Sequence, residues 1–149
     1  MRHTSLAGFH CSVARTLDVV GEWWTPLIVR DAFYGMRRFD DFQRSLGVAR
    51  NVLAARLDRL VDAGIMERQP YQQHPPRDEY VLTEKGRDLF SVIAALMAWG
   101  DKWTAGEVGP PLLLFHEPCG KAATLRATCD RCGEPLTLDD VQPVPGPGA

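Results

Sequence analysis

Four side chains near the C-terminus have the types and spacing of metal ligands. His116 and Cys119 are separated by two residues, Cys129 and Cys132 are also separated by two, and nine residues lie between the pairs. A two-residue separation lets both members of a pair reach one ion, and the glycine that follows each pair allows a tight turn. Four protein ligands fill a tetrahedron and leave no position for water. The pattern therefore predicts a structural zinc site without catalytic chemistry.

The alternative for this segment is an unmetallated, flexible tail in which Cys129 and Cys132 are free thiols or an occasional redox pair. No secretory signal is visible over residues 1–9, because the apolar stretch of such a signal is missing. We therefore expect a cytoplasmic protein, in which thiols and metal ligands are commoner than disulfides. No apolar run approaches the roughly 18 residues of a membrane span, so no membrane partner is expected.

Cys11 stands apart from this cluster, near the start of the first predicted helix. The amide dipoles at a helix start can lower the pKa of a thiol and make it reactive. Cys11 is therefore a candidate redox sensor. The alternative is that Cys11 packs as a small buried hydrophobe, which is what most free cysteines do.

A second set of polar side chains suits duplex DNA. Residues 37–87 hold ten cations and eight anions, although the whole chain has a net charge of −2. Arg50 and Asn51 stand at the start of a predicted helix over residues 49–63. Arginine can bond guanine O6 and N7, and asparagine can bond adenine N6 and N7. The other arginines nearby are better placed for phosphates, which set affinity and not sequence preference; they are Arg37, Arg38, Arg56 and Arg59.

The elements that must position these side chains follow from the apolar spacing. Helices are predicted over residues 12–21, with Ser12 as cap, and over 27–33, 40–46 and 49–63, with a tight turn at Gly47 between the last two. Strands over 65–71 and 79–82 flank a polar tip, and Thr83 caps a long last helix that ends near Trp103. This order predicts a mainly α fold with a small β-hairpin, an α+β winged helix-turn-helix.

In this fold the helix over 49–63 has a buried stripe and a free side opposite it. The buried residues are Leu53, Leu57, Leu60 and Val61, and those on the free side are Asn51, Val52, Ala55 and Arg59. Such a helix fits the major groove, which is about 12 Å wide. Residues 71–79 of the hairpin would reach the flanking groove or backbone. The candidate DNA-contacting residues are Arg37, Arg38, Arg50, Asn51, Ala55, Arg56, Arg59, Gln73, His74 and Arg77.

Three regions follow along the chain. Residues 1–106 are predicted to form the DNA-binding and dimerisation domain, and residues 107–140 a zinc-ribbon-like Cys/His tail. Residues 141–149 are rich in proline and glycine and are expected to be disordered.

Five segments resemble the HxlR-type winged-helix regulators of the MarR-like superfamily, in order and with the spacing kept. They are CSVARTLDVVG (11–21), WTPLIVRD (24–31), RRFDDF (37–42), LAARL (53–57) and YVLTEKG (80–86). Two positions depart from the family pattern, because Ser12 stands where proline is common and Ala49 stands where serine or threonine is common. The second departure should weaken the cap of the recognition helix.

The resemblance implies a homodimeric transcriptional regulator in which the first and last helices pair between subunits. The two recognition helices would then face a palindromic operator, with repression the expected outcome and a small molecule or electrophile as a candidate effector. The tryptophans are expected in the core or in this dimer interface; they are Trp23, Trp24, Trp99 and Trp103.

Two other classes of function compete with this one. A winged helix can also contact protein, so a protein-interaction module with a structural zinc ribbon is the alternative. An enzyme is not expected, since the sequence has no Ser/His/Asp order, no paired catalytic carboxylates and no phosphate-binding glycine loop. No organic cofactor is expected either.

Overall fold

A computed structural model describes residues 5–148, which contain six α-helices, two β-hairpins and one 3-10 turn. In chain order the elements are α1 (Ser12–Val20), α2 (Trp24–Phe33), α3 (Phe39–Leu46), α4 (Arg50–Asp62), β1 (Met66–Gln73), β2 (Pro76–Leu82), α5 (Glu84–Asp88), α6 (Phe90–Trp103), β3 (Leu114–His116), β4 (Lys121–Ala123) and the 3-10 turn Leu138–Asp140. The helix-turn-helix and the hairpin after it confirm the predicted α+β winged helix. The starts of α2, α3 and α4 differ by one to three residues from those predicted, and Cys11, not Ser12, is the N-cap of α1.

The core of the winged helix lies between α2, α3, α4 and β1. Leu53, Leu57 and Leu60 recur at helical spacing along α4 and are at most 1% exposed. Complete burial of one leucine side chain contributes roughly 1.5 to 3 kcal/mol, so this stripe holds α4 in place. The partners buried with it are Ile28, Val29, Phe42, Ile65 and Met66.

The turn between α3 and α4 depends on Gly47. Its φ of 62° is left-handed, a conformation that glycine adopts at little cost, and its amide donates to Gln43 O at 2.9 Å. Val48 follows and is buried, which anchors the turn to the core. The predicted tight turn at Gly47 is confirmed.

The wing is the antiparallel hairpin of β1 and β2, paired from Met66 opposite Leu82 to Gln73 opposite Pro76. Both strands extend farther toward the tip than predicted, because backbone hydrogen bonds continue where the side chains are polar and exposed. The segment before α3 joins the hairpin, since Tyr80 N donates to Arg37 O at 2.7 Å. The base of the wing is thus tied to the start of the helix-turn-helix.

The predicted single last helix is wrong, since α5 and α6 are separate and Leu89 lies between them. The predicted cap is confirmed, because Gly86 N donates to Thr83 Oγ1 at 3.1 Å. A Cβ atom on Gly86 would lie 2.1 Å from Ile65 O, so only glycine permits this close approach. Lys85 Nζ also donates to Ala63 O at 2.7 Å. These contacts with the end of α4 and the start of β1 set the direction of α5.

Two helices leave apolar stripes exposed in the single chain. On α1 these are Val13 and Leu17, one turn apart, and on α6 they are Leu96, Trp99 and Trp103, at helical spacing. Trp99 and Trp103 are 64% and 65% exposed, and they therefore lie outside the core of the described chain. Each stripe exposes large apolar side chains and is therefore a candidate interface.

The described chain divides into two compact units, one ending at Phe90 and one beginning at Ser91. The predicted boundaries at residues 106 and 140 stay predictions. Between residues 107 and 148 no described side chain is buried, and residues 141–148 contain no helix or strand. Residues 1–4 and Ala149, which belong to the predicted first and last regions, lie outside the described residues. No helix of residues 5–148 is long and apolar enough to cross a membrane.

Candidate nucleic-acid interface

The exposed face of α4 lies opposite its buried leucines. Arg50, Asn51, Ala55 and Asp58 are exposed, and the last three are spaced by four and three residues along one side of the helix. A helix anchored by one apolar stripe presents the opposite stripe to a partner. The structure therefore places Asn51 and Ala55 on the free side of α4, as predicted.

The start of α4 has no side-chain cap. Ala49 is the N-cap residue, with φ −61° and ψ 141°, and it offers no oxygen to the first-turn amides. Those amides carry the positive end of the helix dipole and are open to an outside acceptor. The weakened cap expected from Ala49 is confirmed.

Arg50 lies back against α3. Its Nη1 donates to Asp40 Oδ1 at 3.0 Å and to Gln43 Oε1 at 2.8 Å. The guanidinium carbon lies 4.7 Å from the centroid of the Phe39 ring. A carboxylate, an amide and an aromatic ring therefore hold the first side chain of the predicted recognition helix.

Arg37 and Arg38 are half-exposed beside the wing. Arg38 Nε lies 3.4 Å from Glu79 Oε1, and Arg37 Nη1 lies 3.9 Å from Glu79 Oε2. The register of the hairpin shifts at Tyr71, and the Arg38 guanidinium lies 4.4 Å from the centroid of that ring. The two guanidinium groups are more than half exposed, while Glu79 between them is 21% exposed, so both arginines remain open to solvent on one side.

Arg56, a predicted phosphate contact, is paired within the fold. Its side chain is 21% exposed, and Nη2 lies 2.6 Å from Glu22 Oε2, in the connection between α1 and α2. Arg59 Nη1 lies 3.7 Å from Glu22 Oε1, and its Nη2 donates to Asp18 O at 3.5 Å. Helical spacing turns both arginines toward the side of α4 that meets the first helices. Both arginines thus join α4 to these helices.

The wing tip is polar and exposed, as predicted. Gln73, His74 and Arg77 are all exposed. Arg77 also lines a groove between α3 and the hairpin. Seven lining residues were not among the predicted contacts; they are Phe39, Asp40, Asp41, Arg44, Tyr71, Asp78 and Tyr80. Aromatic residues interleaved with arginines in the sequence could have pointed to Phe39, Arg44 and Tyr71.

The predicted zinc ligands form two pairs. His116 Nδ1 lies 3.3 Å from Cys119 Sγ in the turn between β3 and β4. Cys129 and Cys132 flank a second turn, which is closed by a bridge between Thr128 and Pro135. Each turn ends in a glycine with positive φ, 65° at 120 and 78° at 133, whose amide donates to the carbonyl of the first ligand residue at 2.9 Å. The predicted glycine turns are confirmed.

The structure does not assemble these two pairs into one cluster. Within residues 5–148 no group of three or more His, Cys, Asp or Glu side chains is close enough to hold one ion. No described side chain between residues 107 and 148 is buried, so apolar packing does not draw the two turns together. The four-ligand site therefore stays a prediction.

The second turn favours a thiolate at Cys129. Backbone amides of Cys132 and Arg131 donate hydrogen bonds to its sulfur, as does the Cys132 side chain, and together they lower the pKa of Cys129. The contact from Arg131 N to Cys129 Sγ measures 3.4 Å. Hydrogen bonds to the charged form favour that form, and thiolates are the sulfur ligands of zinc.

Cys11 is an exposed free thiol at the N-cap of α1, and its side chain makes no capping hydrogen bond. Its exposure excludes the alternative that it packs as a buried hydrophobe in the described chain. Exposure is one requirement of a redox sensor.

Helices α3 and α4, the turn at Gly47 and the following hairpin define a winged helix-turn-helix protein. Residues 19–107 match the HxlR-like helix-turn-helix family. The chain belongs to this family and is a helix-turn-helix transcriptional regulator.

Three known proteins are similar over most of this region or more. An uncharacterized HTH-type transcriptional regulator of Mycobacterium tuberculosis is 50% identical over 137 residues, 92% of this chain and 87% of its own. The crystal structure of PA1607, a proposed transcription factor, has a TM-score of 0.85 at 40% identity and covers 95% of this chain and 99% of its own. The redox regulator HypR in its reduced form has a TM-score of 0.59 at 34% identity, over 62% of this chain and 92% of its own.

Proposed function

We propose that the protein binds duplex DNA in a sequence-specific manner, with α4 in the major groove. The observation that carries this proposal is the exposed face of Asn51 and Ala55, held outward by the buried stripe of Leu53, Leu57 and Leu60. The N-terminal residues of a recognition helix are those that reach base edges. Asn51 lies in the first turn of α4, where an amide side chain can pair with adenine.

The wing supports the same proposal. Gln73, His74 and Arg77 are exposed at or next to its tip, while Arg37 and Arg38 are half-exposed at its base. We assign these residues to phosphates and the flanking groove, where cations contribute affinity and salt dependence. Arg56 and Arg59 are left out of this set because Glu22 pairs with both.

Homodimerisation is part of the proposal. The exposed stripes of α1 and α6, with Leu17, Leu96, Trp99 and Trp103, are of the kind that obligate interfaces cover. A two-fold dimer would present two recognition helices to half-sites about 34 to 36 Å apart. A dimer bound at a promoter excludes other proteins, so we propose that the protein acts as a repressor.

The direct test is selection of bound duplexes from a random DNA pool, followed by titration of the best sequence and of an unrelated duplex at several salt concentrations. We expect a palindromic consensus and a dimer mass in solution. A protein that binds no duplex at low salt would refute DNA binding and favour the alternative, a winged helix that contacts protein.

We propose a structural zinc in the tail, held by His116, Cys119, Cys129 and Cys132. The formation of both ligand turns and the hydrogen bonds to the Cys129 sulfur support it. The residues present fit a closed tetrahedron, in which the ion would join the two turns and would not catalyse a reaction.

We propose that Cys11 responds to oxidants or electrophiles. Its exposure supports this, as does the similarity to HypR, a redox regulator solved in reduced and oxidized forms. Oxidation of the wild-type protein should change its affinity for the selected operator, and Cys11→Ser should abolish that change. An identical response in the variant would remove Cys11 as the sensor.

A further inference from the structure

We propose that Asp40 is a specificity-determining residue that holds Arg50 away from DNA phosphates. This inference rests on the proposed DNA binding and concerns the same surface. It is carried by three contacts of one guanidinium: Asp40 Oδ1 at 3.0 Å, Gln43 Oε1 at 2.8 Å and the Phe39 ring at 4.7 Å.

The position of Arg50 makes these contacts consequential. Arg50 opens α4 and is 65% exposed, at the end of the helix that meets DNA in the proposed complex. A free arginine at that place would bind any phosphate within reach, which adds affinity for every duplex and no sequence preference. The carboxylate of Asp40 already satisfies the positive charge, and all three contacting residues lie on α3.

The geometry leaves a base contact available. Asp40 and Gln43 both accept from the same nitrogen, Nη1, and the ring of Phe39 supports the plane of the guanidinium. A guanine edge offers two acceptors in fixed positions, which a held guanidinium meets with less ordering cost than a freely rotating one. A phosphate reached by Arg50 would instead stand beside the carboxylate of Asp40, and the like charges would repel. The arrangement therefore discriminates between the two partners.

A second acidic residue in the same turn separates this role from general charge effects. Asp40 and Asp41 both lie in the first turn of α3, where each complements the helix dipole. Asp41 Oδ1, however, accepts from Arg44 Nη1 at 3.3 Å and not from Arg50, which pairs with Asp40. Asp41→Asn makes the same change of charge, next to Asp40, but releases Arg44 in place of Arg50, so any effect it has should not depend on Arg50.

The experiment compares Asp40→Asn with Asp41→Asn, using the operator selected by the wild-type protein and an unrelated duplex of equal length. An exposed ion pair corresponds to at most about a five-fold change in an equilibrium constant. We expect Asp40→Asn to bind the unrelated duplex about three-fold more tightly, with a steeper salt dependence by roughly 0.9, as expected for one further phosphate neutralised. Operator affinity should not rise, so the ratio of the two affinities falls by about three-fold.

The effect of Asp40→Asn should vanish in an Arg50→Ala background, whereas any effect of Asp41→Asn should be the same with and without Arg50. Equal gains on both duplexes with Asp40→Asn, or a full effect without Arg50, would overturn the inference. If the wild-type protein prefers its operator to the unrelated duplex, and the two variants change this preference alike with and without Arg50, only the role of Asp40 is refuted. Wild-type protein that binds neither duplex would refute the proposed DNA binding itself. Circular dichroism of both variants checks that α3 remains folded.

Discussion

The winged helix and the Cys/His tail place their polar groups by different means. In the winged helix, Leu53, Leu57 and Leu60 are at most 1% exposed, and their burial sets which residues of α4 face outward. In the tail, the ligand turns are formed by local backbone hydrogen bonds, such as that from Gly133 N to Cys129 O at 2.9 Å. No described side chain in residues 107–148 is buried.

This difference shows that a short segment without an apolar core lacks the free energy that would hold distant turns together. Backbone turns can position two ligands that are close in sequence, but bringing distant turns together requires burial of apolar area or a bound ion. In the winged helix the apolar core supplies that free energy. In the tail we propose that zinc supplies it.

The largest expected effect is on the tail, through its metal. Structural zinc binds small peptides with apparent free energies of about 10 to 16 kcal/mol, and thiolate ligands provide much of this. We expect about one zinc per chain in protein purified reduced and without chelator. Cys129→Ser should abolish the zinc and expose residues 112–136 to proteolysis, while the winged helix stays folded.

Cys11→Ser is the matched control for the zinc measurement, since it removes an exposed thiol outside the tail. It should retain the metal. Wild-type protein that holds no zinc, cannot be reconstituted and resists proteolysis equally with and without the metal would show that packing alone holds the tail.

The next effect concerns the core under α4. Leu57→Ala removes a side chain that is 0% exposed and should lower the free energy of unfolding by about 2 to 5 kcal/mol, measured by chemical denaturation. Leu138→Ala, at a tail residue that is 89% exposed, should change it by less than about 0.5 kcal/mol. Equal losses of unfolding free energy at both positions would show that the tail also has a stabilising core.

Arg56 tests whether α4 is joined to the first helices by its ion pair. Arg56→Ala leaves the half-buried Glu22 with a weaker partner, and we expect a loss of about 1 to 3 kcal/mol in unfolding free energy. The salt dependence of DNA binding should not change. Arg77→Ala, at the exposed wing, should leave the unfolding free energy unchanged and reduce the salt slope of DNA binding by roughly one unit. A reduced salt slope of DNA binding in Arg56→Ala would show that Arg56 contacts a phosphate.

Asn51 tests sequence preference on the exposed face. Asn51→Ala should weaken operator binding by about 1 to 3 kcal/mol and relax the preference at one base pair, with unfolding unchanged because the side chain is exposed. Competition titrations with single-base operator variants measure this. A preference that is retained at every position would remove Asn51 from the reading face.

Much of the winged helix was predictable from the sequence because its signals are periodic or local. The spacing of Leu53 and Leu57 predicted the buried side of α4. Gly47 and Thr83 predicted a turn and a cap that depend on only a few neighbouring residues. The glycines after Cys119 and Cys132 predicted the ligand turns for the same reason.

The remaining features depend on residues far apart in the chain. The break at Leu89 divides the predicted last helix into α5 and α6. The close approach of Gly86 to Ile65 O joins residues twenty-one positions apart, and no pattern within residues 84–103 reveals it. The pairing of Arg56 with Glu22 joins residues thirty-four positions apart, so an arginine that composition suggests for DNA is used within the fold. The sequence by itself determined the order of elements and the buried face of α4, because helical periodicity and turn chemistry are encoded locally. Only the tertiary structure decided which arginines remain exposed, because a guanidinium pairs with whichever carboxylate the packed helices bring within reach.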